Sequence, residues 1–471
     1  QPSSPATSGP SSGTGVEQAS TARNTLADAS TDDSRACDGC PPRRVGTALL
    51  QTTVVNVLYE AGNLARGQVT ARVTPATWWA NVKRGWEWDL DDFVVNQIGH
   101  PYQGSNYFNA GRANGLSFWE SAALTAFGSG TWEYFGETNR PSLNDFINTL
   151  LGGVALGEMS YRAAWLVRDT RATGHSRFAS EFAAMAIDPL TGFNRFLSGD
   201  ASRVVDKPRD LVPDGLAAAT SAGIGWRRSS TPDVEPAIDP FLRIELRYGD
   251  LETGRSRAPY DGFTVDLHFG AGSTLSEARV RGRLFGRSFR DGALQVNVAQ
   301  HYDFNHNNAY RFGAQSIEAN VGWNRELTSR LSMRAMAWGA LTALGAVDSR
   351  PPDQTPGPPP PSPGRGISVG PRFYDYGPGG NFGGVATLRR DGHPILTLAY
   401  DAYHLYVLDG VRANHLLQRA RADLRIPLKG RLGMNVISEY FDRRTFFQDP
   451  SLIDAEFHFP QVRVGVTWRT N

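Results

Sequence analysis

Leu242-Arg243-Ile244-Glu245-Leu246-Arg247-Tyr248 alternates apolar and charged side chains without a break. A period of two places one set on each face of a strand. The alternation returns at Phe263, Val265, Leu267 and Phe269 against Thr264, Asp266 and His268, and at Ala278, Val280, Gly282 and Leu284 against Arg279, Arg281 and Arg283. It returns again over residues 294–299 and 317–323, and finally at Val462, Val464, Val466 and Trp468. In a soluble sandwich such apolar faces pack on one another. In a membrane barrel they meet lipid, and the polar faces line the lumen.

Three features favour the barrel. The strands run ~9–12 residues, the reach a tilted strand needs to cross a bilayer. They recur as hairpins with short and long connections. Tyr248, Trp323, Tyr406 and Trp468 stand near strand ends, where interfacial aromatic girdles belong. The expectation is an α+β chain whose residues 238–471 form an antiparallel transmembrane β-barrel of about 10–12 strands. The proline-rich run 351–363 reads as one long loop.

The bulk properties agree. Lys+Arg number 48 and Asp+Glu 47, so the chain lacks the basic excess of a nucleic-acid binder. No stretch approaches the ~20 apolar residues of a spanning helix, and mean hydropathy is −0.37. Only a closed barrel would then satisfy the backbone in lipid.

Upstream of the barrel the period changes. Residues 1–45 are rich in Ser, Thr, Ala, Gly and Asp and read as a disordered tail. The chain begins at Gln1 and reads as a mature form after removal of a signal peptide, addressed to the bacterial outer membrane. Cys37 and Cys40 are the only cysteines, and a small local disulfide is expected between them unless they are free thiols. Residues 46–200 are expected to form a helical domain, and residues 201–237 a polar linker. Val54, Val55, Val57, Leu58 and Leu64 suggest one short helix packed on the rest of that domain. Ser142 stands three residues before Asp145, a capping-box spacing at the start of a helix through Ile147, Leu150, Val154 and Met159.

The densest polar and small residues run from Asn96-Gln97-Ile98-Gly99-His100-Pro101-Tyr102-Gln103-Gly104 to Arg112. Beyond them lie Ser117-Phe118-Trp119-Glu120, Trp132-Glu133, Glu137, Pro141-Ser142-Leu143-Asn144-Asp145, Asn148, Gly152-Gly153, Gly157-Glu158 and the turn 188–195. Over roughly residues 75–200 this combination resembles the bacterial envelope family of domain of unknown function 3943. The resemblance implies an envelope location and a helical domain followed by a barrel. It brings no activity.

Two sets of residues are candidates for function. His100 with Glu120 or Glu133 is the catalytic candidate, a general base beside carboxylates acting on an envelope lipid or glycan. The structural reading of the same block is a buried polar network of His100, Gln103, Glu120, Glu133, Asp145, Asn148 and Glu158. No His-x-x-x-His or Glu-x-x-His spacing occurs, so no metal or cofactor is expected. The second set is Arg279, Arg281 and Arg283, which would line the lumen with Asp266, Glu245 and Glu318. Pairing among them gives a filled structural barrel, and unpaired arginines a pore that favours anions. The sequence therefore predicts an outer-membrane barrel with a helical plug or periplasmic domain, in solute or lipid passage or envelope structure. Its partners would be outer-membrane lipid, the barrel-assembly machinery and a small solute or lipid ligand.

Overall fold

The computed structural model describes residues 41–230, 235–251, 256–270, 273–307, 311–348 and 374–470. Cys37, Cys40 and the proline-rich run lie outside them. Among the described residues, twelve strands close into one barrel. They are β1 (Leu216–Arg227), β2 (Ala237–Tyr248), β3 (Phe263–Gly270), β4 (Ser273–Phe289), β5 (Leu294–His306) and β6 (Arg311–Glu326), then β7 (Leu331–Asp348), β8 (Tyr374–Arg390), β9 (His393–Tyr406), β10 (Ala413–Pro427), β11 (Leu432–Phe447) and β12 (Ala455–Arg469). Each pairs antiparallel with its sequence neighbours, and β1 closes the ring on β12. Closure removes the free edges that would otherwise expose unpaired backbone.

β1 lies inside the stretch expected to be linker. Its residues include Ala217, Ala218, Ala219, Ala222, Gly223 and Gly225, which are too small to display a hydrophobic period. β1 begins and β12 ends at one end of the barrel, here the terminal end, while the loops after odd-numbered strands form the opposite, loop end.

Alternation sorts the wall as the sequence suggests. Outward side chains include Ile224, Ile238, Leu242, Ile244, Leu341, Leu398, Val464 and Trp468, all exposed and apolar. Inward ones are charged or polar and mostly buried, Arg243, Glu277, Arg283, Glu318, Asp423 and Arg463 among them.

The helical block comprises α1 (Val45–Ala65), α2 (Pro75–Arg84), α3 (His100–Ala113), α4 (Phe118–Phe135), α5 (Leu143–Ile147), α6 (Gly153–Val167), α7 (Gly174–Ile187) and α8 (Pro189–Ser198). Two π-helical turns, Val95–Gly99 before α3 and Asn148–Gly152 between α5 and α6, face each other at the centre. α3 and α6 approach backbone to backbone. A Cβ on Gly104 would stand 1.9 Å from the Thr149 carbonyl oxygen, and one on Gly153 2.6 Å from Gly104 Cα. α4 starts on a capping box in which the Ser117 hydroxyl accepts from Glu120 N and the Glu120 carboxylate accepts from Ser117 N.

Two local expectations are corrected. The Ser142 side chain makes no cap hydrogen bond; its N–H donates to Glu133 rather than to Asp145, which accepts from Asn144. α1 is 21 residues long, not short. Val54, Val57, Leu58 and Leu64 point out of the molecule, and of the named set only Val55 is buried.

The described helices dock on the outside of the barrel wall, so none of them forms the expected helical plug, and among the described residues the lumen holds the strands' own side chains. On β5, Val296 and Val298 are exposed outward, and the same face continues through Gln300, Tyr302 and Phe304 under the helices. The Tyr302 hydroxyl donates to the Gln97 carbonyl at 2.6 Å, and Gln300 Nε2 to that of Leu151 at 2.7 Å. Phe93 stacks on Phe304 and meets Tyr374 edge-on, Trp88 stacks on Tyr376, and Phe118 stacks on Tyr260. The largest apolar core of the molecule is this joint, with Val265, Ala278, Val280, Leu344 and Ala346 beneath Phe108, Val154 and Ala155.

Candidate functional site: the lumen and the buried polar block

Inward parity brings Arg279, Arg281, Arg283, Asp266, Glu245 and Glu318 onto one lumenal surface, and of the expected pairings Arg281 with Glu318 is formed. Arg281 reaches Glu318 at 3.1 Å and lies over the Trp338 ring. Arg279 takes Asp303 at 3.2 Å and Glu277 at 3.3 Å, and Arg283 takes Asp261 at 2.8 Å. Asp266 and Glu245 are held by other arginines. Arg243 contacts Asp266 at 2.7 Å, Glu245 at 2.9 Å and Asp423 at 2.9 Å.

The bridge to Asp423 crosses the lumen, because β2 and β10 are separated by β1, β12 and β11. Arg425 to Glu245 at 2.8 Å crosses the same gap. Arg421 to Asp266 at 3.2 Å and Arg463 to Glu277 at 3.3 Å cross elsewhere, and the Tyr403 hydroxyl donates to Asp303 from β9 to β5. These pairs form a charged belt at the waist. Sequence reading missed Arg243, Arg421, Arg425, Arg463, Asp423 and Glu439. The signal was present, since each occupies the inward parity of its strand.

The belt separates two cavities. The one at the terminal end has a volume of about 260 Å³ and is lined by Arg247, Arg281, Arg283, Arg334 and Arg389 with Thr264, Asn297, Asn320 and Thr387. No carboxylate is among its described lining residues. A smaller one at the loop end mixes Arg279, Arg419 and Arg443 with Asp303, Asp401 and Asp442, and adds Phe312, Tyr403 and Phe441.

In the helical block only some of the candidate residues converge. His100 is 7% exposed. Its Nδ1 meets the Thr149 hydroxyl at 3.3 Å and its Nε2 lies 3.6 Å from Asp145. Burial pushes the imidazole down to about 4 and the Asp145 carboxyl well up, with Asp89 and Glu133 adding to the latter. Glu133, also raised by burial and by Glu137, accepts from Ser142 N at 2.7 Å. Glu120 stands 13 residues earlier on α4, ~20 Å away at helical rise. It caps that helix and meets Arg43 at 2.6 Å. Gln103 donates to Tyr107, and Glu158 takes Arg112 and Arg162. Asn148 is fully buried, and neither of its amide atoms has a partner among the described residues. Of the predicted network, His100, Asp145 and Glu133 lie near enough to act on one another, while Gln103, Glu120 and Glu158 belong to separate local contacts.

A further cluster escaped sequence reading. Glu181, 1% exposed, takes Arg168, Arg177 and Arg195 at 3.1, 2.9 and 2.7 Å. The i,i+4 spacing of Arg177 and Glu181 was its one sequence signal. At the loop-end rim Asp442, Glu456 and His458 converge closely enough for a metal ion. Arg444 already meets Asp442 at 3.3 Å and Glu456 at 3.0 Å, so a cation would have to displace a cation there.

The family model described as Domain of unknown function (DUF3943) matches residues 85–190, within the helical block. No curated protein matches the chain. Among solved structures, the NanC porin is 10% identical with a TM-score of 0.27, covering 53% of this chain and 98% of its own. The KdgM porin is 8% identical with a TM-score of 0.24, covering 53% and 98%. OccK10 of Pseudomonas aeruginosa is 11% identical with a TM-score of 0.20, covering 55% and 100%.

Proposed function

We propose that the chain is an outer-membrane protein whose barrel passes a small anionic solute. The observation that carries this reading is the opposition of its two barrel surfaces. The outer wall is apolar, with Ile224, Ile238 and Leu341 exposed, while the terminal-end cavity is lined by five arginines. An apolar outside suits lipid, and guanidinium groups around a lumenal cavity can take an anionic solute in exchange for the partners they now hold, as Arg281 holds Glu318 and Arg283 holds Asp261. Delivery as a secreted precursor and insertion by the barrel-assembly machinery belong to the same reading.

The belt of cross-lumen ion pairs sets the limit on passage. Moving a solute past it requires Arg243, Arg421 and Arg425 to exchange Asp423 and its neighbours for the solute's own charge. Anions do this at lower cost than neutral solutes, because the arginines keep a partner throughout. The enzymatic alternative loses its geometry: His100 is buried against Asp145 and Thr149, and Glu120 is a helix cap.

Conductance of the full chain in planar bilayers tests the reading. Discrete steps are expected, with a reversal potential in a KCl gradient that favours chloride. Asp423→Asn, which frees three arginines from one carboxylate, should raise both step size and anion preference. Absence of steps from both proteins, or a cation preference, overturns the proposal.

A further inference from the structure

The outer helices of the block are built inside out. On α7 and α8 the charged residues Arg177, Glu181 and Arg195 point inward and are nearly fully buried, while Phe178, Phe182, Phe196 and Leu197 point outward. Phe182 is 62% and Leu197 71% exposed, and Phe178 packs against both Phe182 and Phe196 as an aromatic patch. On α1, Leu50, Val54, Val57 and Leu58 share one outer face, and Glu60 is the only charged residue in the helix. α2 adds Trp78, Trp79 and Val82. The interior meanwhile holds Asn81, Asn96, Gln97, Asn109, Asn144 and Asn148. A helical domain in water has the reverse arrangement.

The apolar exterior is also continuous with that of the barrel. The helices sit on outward-facing strand residues, and at the seam Trp119 of α4 stacks on Phe285 of β4 at 5.8 Å with both rings about half exposed. No helix among the described residues is long and apolar enough to cross a membrane. We infer that the helical block lies within the lipid layer beside the barrel, without spanning it, and that acyl chains cover the outer faces of α1, α7 and α8. This rests on the membrane reading of the barrel. It gives the block the character of an in-plane element whose polar groups are satisfied inward and whose apolar face meets lipid.

Spin labels on the full chain test it in vesicles of phosphatidylethanolamine and phosphatidylglycerol. With both cysteines replaced by serine, single labels are placed at Leu58→Cys and Phe182→Cys. Ile244→Cys on the barrel wall serves as lipid reference and Ser451→Cys in a loop-end turn as water reference. Labels at 58 and 182 should collide with oxygen and be shielded from a water-soluble nickel chelate, matching 244 and opposing 451. Nickel access at 58 and 182 with 244 still shielded puts the block in water and overturns the inference alone. Shielding of 58 and 182 from both reagents means that a second copy or another protein covers the face, and also overturns it. Nickel access at 244 overturns the barrel reading and this inference with it.

Discussion

The barrel lumen and the helical block both bury large sets of polar groups, by opposite means. In the lumen buried charges are set beside opposite charges, as Arg243 is with Glu245, Asp266 and Asp423. At the centre of the helical block, burial pushes the carboxyls up instead. His100, Asp145 and Glu133 sit among amides with their titration displaced by burial. Arginine enters the block only toward α6–α8, around Glu158 and Glu181. A wall whose residues alternate can place cation and anion on adjacent strands by register alone. A helix interior offers no such lattice, so amides, π-helical turns and close glycine contacts take the place of pairing.

The largest effect that would break this contrast is in the lumen. Arg243→Met leaves three carboxylates without their shared cation, and removing one partner of a buried ion pair costs about 3–5 kcal/mol. The urea midpoint of the folded barrel, read from heat-modifiable gel migration, should fall accordingly. An unchanged midpoint would mean that the belt contributes nothing to the fold. The corresponding test of the helical block is Gly104→Ala. Its Cβ would meet the Thr149 carbonyl at 1.9 Å, with Gly153 Cα at 2.9 Å, and backbone cannot yield as a side chain can. Overpacking of this kind costs about 1–3 kcal/mol. Tryptophan fluorescence and proteolysis should report a loosened block while heat-modifiable migration of the barrel persists. Loss of both together would show that the barrel depends on the block.

Legibility in the sequence divides in the same way. Parity on a strand names a face, so β2, β3, β4, β5, β6 and β12 could be read from their residues, and with them the inward direction of Arg279, Arg281 and Arg283. Parity does not name a partner. Asp266 and Arg279 are register neighbours, yet Asp266 is taken from across the lumen and from β2. β1 was hidden because alanine and glycine carry no period. In the helical block the inward direction of Asn148 was legible, and the outward direction of Val54, Val57 and Leu58 was not, because apolar side chains in a helix read as packed on their own domain. Nothing local in a sequence says which solvent surrounds a helix.

Glu120 offers the smallest and most specific test, because two readings of one residue diverge on it. As a catalytic group it would need its carboxyl proton, and Glu120→Gln would be as damaging as Glu120→Ala. As a cap it needs only an oxygen that accepts from Ser117 N, which it does at 2.9 Å. Glutamine retains that oxygen and loses only the half-exposed pairing with Arg43, and surface pairs of this kind contribute little. Alanine loses the reach back to Ser117 N, while the Ser117 hydroxyl still accepts from the residue-120 amide. Thermal unfolding of the helical block should therefore fall by about 0.5–1 kcal/mol in Glu120→Ala and by a fraction of that in Glu120→Gln. Equal losses in the two variants would mean that the charge at 120 matters beyond the cap, and would return Glu120 to the candidates for chemistry.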